Sequence, residues 1–218
     1  MDSIWTGVEF FRKGGPVMYV LLLCSIFVAA IGIERWLYFS RMDAGRAFAR
    51  SFYGCMTGGR YDEAERLIHE AGGLLPEILR QAVSRCSQAE GSVTAFMELQ
   101  SGIALSRLRQ RLYYLQVIVT MAPLLGLLGT ISGMISAFSV FNLESGQSAA
   151  ITGGVGEALI ATAMGLCVAI LSLLIHAYFS QRVENIVTDM EQSFSLMETA
   201  GKKLAEREEK GEAAYAAS

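Results

Sequence analysis

Every residue from Leu112 to Leu143 is uncharged, and from Ser145 to Gln181 the only formal charge is Glu157. A third uncharged run covers Gly14–Ile33. Each reaches the roughly 20 apolar residues that a bilayer core requires. Backbone polar groups in hydrocarbon must be satisfied inside the segment, so runs of this length are helices. Hydrophobic residues make up 52% of the 218-residue chain and mean hydropathy is +0.38, which places it among membrane proteins. The expected fold class is therefore an all-α membrane protein with three transmembrane helices.

The placement of positive charge orients them. Of 18 Lys and Arg, 2 precede the first span, 11 lie between the first and second, none lies between the second and third, and 5 follow the third. Arg-rich segments stay in the cytoplasm, so the N-terminus faces out and the C-terminus in. The layout expected is an outer interfacial amphipathic helix at 1–13, with Ile4, Trp5, Val8 and Phe11 on one stripe, then a transmembrane helix at 14–39. A cytoplasmic helical domain follows at 40–111, then a transmembrane helix at 112–141, a periplasmic loop at 142–150, a transmembrane helix at 151–179, and a cytoplasmic C-terminal helix and tail at 180–218. Gly58-Gly59 and Gly72-Gly73 punctuate the cytoplasmic domain around a short helix from Tyr61 to Glu70. A second helix there starts at Leu74, with Leu75, Ile78, Leu79, Ala82 and Val83 on one face. From Ser92 the helical pattern runs without proline to Pro123, which predicts one long helix into the second span. After the third span, Val183, Val187, Met190, Phe194, Met197 and Leu204 form a heptad-like stripe, and the charged, small-residue tail from Glu206 is expected to fray.

Candidate functional residues stand out against this apolar background. A lone carboxylate in a span is costly and is read first as a functional site, which singles out Glu157. A structural alternative is an interfacial acid stabilised by the dipole of its own helix. Thr130 and Thr162 are the hydroxyls accompanying Glu157. Gly126, Gly129 and Gly133 in the second span, and Ala161, Gly165 and Ala169 in the third, form small faces that permit close packing. These faces are expected to seal a homo-oligomer, with a tight pairing of the two helices and nothing more as the plainer alternative. Pro123 frees a backbone carbonyl and predicts a bend. Arg107, Arg109 and Arg111 are candidates for lipid headgroup contact, with ordinary positive-inside anchoring as the favoured reading. The cysteines and the two histidines have no metal-ligand spacing, so neither a metal site nor a cofactor is expected, and nothing in the charge pattern suggests nucleic acid.

Three motifs together resemble the MotA/TolQ/ExbB proton-channel family, in its ExbB-like branch. They are Gly14-Gly-Pro-Val-Met-Tyr19 with Ile33-Glu-Arg-Trp36, Ala122-Pro-Leu-Leu-Gly-Leu-Leu-Gly-Thr130, and Glu157-Ala-Leu-Ile-Ala-Thr-Ala-Met-Gly165. The resemblance covers about residues 10–180. The Val168-Ala-Ile-Leu171 segment departs from the family's frequent Val-Ala-Ile-Pro pattern. The resemblance implies a homopentamer with a central pore lined by the second and third spans. It also implies an ExbD/TolR-like single-span partner in that pore, and proton flow coupled to a TonB-like protein in the bacterial inner membrane. By motif position, Thr130, Glu157 and Thr162 would be the polar pore residues. On this reading the chain is a motor subunit, not an enzyme. The alternatives are a TolQ-like or gliding-type motor with other cargo, or a non-conducting scaffold. Glu157 and Thr162 are five residues apart, about 140° around a helix, so both cannot point at one axis.

Overall fold

The computed structural model describes residues 15–42, 45–87, 93–143 and 148–216. The helix expected over 1–13 lies outside them. Among the described residues the chain is all helical: α1 (Val17–Met42), α2 (Gly45–Thr57), α3 (Tyr61–Glu70), α4 (Leu74–Ser87), α5 (Val93–Gln110), α6 (Leu112–Leu143) and α7 (Ser148–Ala216). The helical runs containing α1, α6 and α7 are long and apolar enough to cross a membrane, by length and composition. Only 22–33% of the most apolar window of each is buried within the chain. The remaining apolar surface calls for lipid or for other protein.

Two compact units make up the chain, residues 1–35 with 110–180, and residues 36–109 with 181–218. In the first, α6 and α7 run antiparallel, because Gly133 meets Gly154 and Ala158 while Gly126 meets Ala161 and Thr162. The buried stripe of α6 is Leu112, Leu115, Ile118, Ala122, Gly126, Gly129, Gly133 and Ala137, at steps of three and four. Side-chain volume falls along it, so the helices approach most closely where both carry Gly or Ala. The first part of α1 packs alongside through Met18, Leu21, Val28 and Ile31. Gly32 lies in ordinary contact distance of Ile175 on α7. Ser172, fully buried, donates from Oγ to the Leu115 carbonyl at 2.9 Å, fastening α7 to α6 where the residues are larger. Arg111 pairs with Glu34.

In the second unit, Phe48 and Phe52 on α2 stack at 5.9 Å between centroids. Gly59, at φ +70°, turns the chain after α2 so that Arg60 N–H donates back to the Cys55 carbonyl at 2.9 Å. The α3–α4 hairpin buries Ala64 and Ile68 together with Leu75, Ile78, Leu79 and Ala82. Arg80 closes it by donating to the carbonyls of Ile68 and Ala71 at the end of α3.

Several expectations change. The helix expected to run unbroken from Ser92 is interrupted by a turn at Arg111, and no glycine or proline marks that break. The loop expected at 142–150 is narrower, since α6 reaches Leu143 and α7 begins at Ser148; residues 144–147 lie outside the described ones. The tail expected to fray from Glu206 is helical to Ala216, most of its residues being good helix formers despite Gly211. The heptad-like stripe is rotated. Val183 and Met190 are buried, but Ile186, Ser193 and Ala200 complete the buried line, while Val187, Phe194 and Met197 are only half-buried. The period of alternating threes and fours is kept, and the contact falls on the other flank of Val183 and Met190.

Candidate functional site

Glu157 is half-buried on α7. Because α7 starts at Ser148, the carboxylate is more than two turns inside its helix. The dipole of a helix acts within its first turn, which overturns stabilisation by its own N-terminus. The carboxylate instead rests against Gly15, at the turn just before α1. A Cβ placed on Gly15 would overlap Glu157 Oε1 and lie 3.2 Å from its Cδ. Gly15 has φ +71°, a conformation that glycine adopts without strain.

Thr162 faces elsewhere. Its hydroxyl lies 3.3 Å from the Gly126 carbonyl on α6 and 3.4 Å from the Ala158 carbonyl one turn back on α7. Thr130 Oγ1 donates to the Leu127 carbonyl in its own helix at 2.6 Å. Beside it, Ile131, Met134, Ile135 and Phe138 form a shallow apolar face of α6. The three polar residues therefore do not converge within one chain.

The small faces do converge. A Cβ on Gly126 would stand 3.1 Å from both the Ala161 carbonyl oxygen and Thr162 Cα. On Gly129 it would stand 2.5 Å from Ala161 Cβ, and on Gly165 2.6 Å from the Ala122 carbonyl oxygen. Ala161 is fully buried and Ala169 nearly so. These faces were expected to seal neighbouring copies together. Within the chain the two stripes meet each other, Gly126, Gly129 and Gly133 of α6 lying against Ala161, Thr162, Gly154 and Ala158 of α7. Pro123 lies inside α6 and cannot donate to the Val119 carbonyl.

Of the three arginines, Arg109 pairs with Glu184 at 2.8 Å and Arg111 pairs with Glu34, leaving Arg107 exposed. All three arginines are exposed, the two paired ones included. Two participants escaped the sequence reading. Gly15 was read only within the Gly14-Gly-Pro-Val-Met-Tyr19 motif and given no role of its own. Ser172 was not singled out at all.

The sequence profile of the MotA/TolQ/ExbB proton channel family matches residues 71–192, which include Thr130, Glu157 and Thr162. A Synechocystis sp. protein named as biopolymer transport protein ExbB-like 1 is 36% identical over 177 residues, covering 76% of this chain and 67% of its own length. A second protein from that organism, ExbB-like 3, is 32% identical over 179 residues, covering 74% and 79%. The biopolymer transport protein ExbB of Neisseria gonorrhoeae is 32% identical over 201 residues, covering 83% and 90%.

Proposed function

Because the chain belongs to the MotA/TolQ/ExbB proton channel family, we propose that it is an ExbB-like subunit of a proton-driven motor in the bacterial inner membrane. In this reading copies of the chain, five by family resemblance, surround the transmembrane helix of an ExbD-like partner. Proton flow through that assembly is passed as motion to a TonB-like protein for outer-membrane transport. The names of the relatives favour this cargo over a TolQ-like one. A unit charge crossing 100 mV supplies about 2.3 kcal/mol, so a step costing several kcal/mol draws on more than one proton or on a pH gradient too.

The observation that carries the reading is Glu157, the one acid in the apolar part of α7, half-buried within the family-matched segment. A scaffold has no use for such a carboxylate, which raises the cost of insertion. The test is Glu157→Gln, which keeps size and removes the titratable proton. Transport dependent on the partner proteins should be abolished while membrane level and oligomer size stay at wild-type values. Full transport by this variant would end the proton-path reading and return the side chain to a structural role.

A further inference from the structure

The turn that precedes α1 is shaped around one side chain. Gly15 takes the left-handed conformation, Pro16 follows, and Met18 N–H donates to the Gly15 carbonyl at 3.2 Å and Tyr19 N–H to the Pro16 carbonyl at 3.3 Å. The turn is firmly seated: Met18 and Leu21 are buried, and Val17 reaches to 3.7 Å from where a Gly129 Cβ would be. The Cα face of Gly15 is then the surface on which the carboxyl end of Glu157 rests, with Cδ and Cγ at 3.2 and 3.7 Å from the missing Cβ. The carboxylate consequently stands at the positive end of α1 rather than that of its own helix. We propose that Gly15 is a positioning residue for Glu157, fixing where its carboxylate sits for the proton-driven step; this rests on the role of Glu157 proposed above.

The physics separates this from a packing role. At Gly126 and Gly165 an added methyl meets backbone, which must move with its helix. At Gly15 it meets the far end of a flexible side chain, which relieves the overlap by rotating away. A substitution there displaces the carboxylate without prying α6 from α7, and adds the backbone strain of a side chain at φ +71°. It also separates the contact from the backbone conformation. Asn tolerates the left-handed region far better than Ala, yet both carry the Cβ that meets Glu157.

The experiment compares Gly15→Ala, Gly15→Asn and Glu157→Asp, singly and combined, in the full chain expressed with its native partners. Two readouts are taken in the same membranes: energised transport, and the rate at which dicyclohexylcarbodiimide modifies Glu157, followed by peptide mass spectrometry. Gly15→Ala and Gly15→Asn should each cut transport by about tenfold or more while oligomer size is retained, and should raise the rate of Glu157 modification severalfold. Glu157→Asp withdraws the carboxyl by one methylene, so adding Gly15→Ala to it should cost less than about twofold, the non-additivity that contacting residues show. Transport restored by Asn but not by Ala would assign Gly15 a backbone role only and overturn the proposal. So would an unchanged modification rate, or an equal loss in both backgrounds. If Gly15→Ala does not accumulate, recovery of its level by Glu157→Asp supports the contact and no recovery overturns it. Full transport by Glu157→Gln would instead bring down the function of the acid itself, whatever the modification rate shows.

Discussion

Placing a methyl on Gly129 tests whether the small faces close within one chain. The new Cβ would stand 2.5 Å from Ala161 Cβ. Carbon–carbon contacts settle at roughly 3.5–4.0 Å, so α6 and α7 must part by about 1 Å at this level. A gap of about 0.5–1 Å already forfeits a quarter to a half of each dispersion contact it opens. The contacts opened include those around Gly126 and Gly133, where the helices are also at backbone distance. Overpacking of this kind costs about 1–3 kcal/mol, or roughly tenfold in the folding equilibrium per 1.4 kcal/mol. Gly129→Ala should lower the unfolding midpoint of the purified chain in a dodecyl sulfate titration followed by circular dichroism. Ala161→Gly removes the opposing methyl and should recover most of that loss in the double variant. Gly165→Ala meets the Ala122 carbonyl at 2.6 Å and Gly126 Cα at 3.0 Å, both backbone, so no trimmed side chain should rescue it. A wild-type midpoint in Gly129→Ala, or strict additivity with Ala161→Gly, would refute the reasoning. It would mean that the small faces serve contacts between copies instead.

Three further outcomes are expected. Ser172→Ala removes a fully buried hydroxyl bonded to the Leu115 carbonyl and should cost about 0.5–1.5 kcal/mol in the same titration, without changing oligomer size. Arg109→Gln breaks an exposed pair with Glu184 and should cost no more than about 1 kcal/mol, with the loss shrinking further as salt is raised. For topology, a membrane-impermeant thiol reagent added to intact cells should label Ser145→Cys and miss Glu65→Cys; the exposed Glu65 is the fair inner probe because native Cys55 is 7% exposed. Equal labelling of Glu65→Cys from outside would reverse the orientation.

The three apolar helices were legible because hydrocarbon admits so few backbone solutions that absence of charge nearly specifies the element. The punctuation around α3 was legible too: Gly59 and Gly73 both take positive φ where paired glycines were read as breaks. Legibility failed where the deciding fact is relational. Arg111 carries no local sign of a turn, and the burial of Ile186 and Ser193 depends on what α7 packs against over several turns. For the small stripes the sequence left open a pairing within the chain and one between copies, and the structure shows the first. A stripe of Gly and Ala states that something comes close, and not whether it belongs to the same chain.

The polar residues pose the sharpest constraint on mechanism. Glu157 is turned to the start of α1, Thr162 to the Gly126 carbonyl of α6, and Thr130 back onto its own helix beside an apolar face. Among the described residues no two of them share a hydrogen bond and no line of donors and acceptors links them. A proton route built from these residues therefore needs groups contributed from outside the chain, by neighbouring copies or by an inserted helix. The apolar surface left uncovered on all three spans is where such groups would arrive. Within the chain the α6–α7 pair is closed both by side chain, Gly129 against Ala161 Cβ, and by backbone, Gly165 against the Ala122 carbonyl. Of the glycine contacts under 3.0 Å among the described residues, only that of Gly15 is with the far end of a flexible side chain, the Glu157 carboxylate.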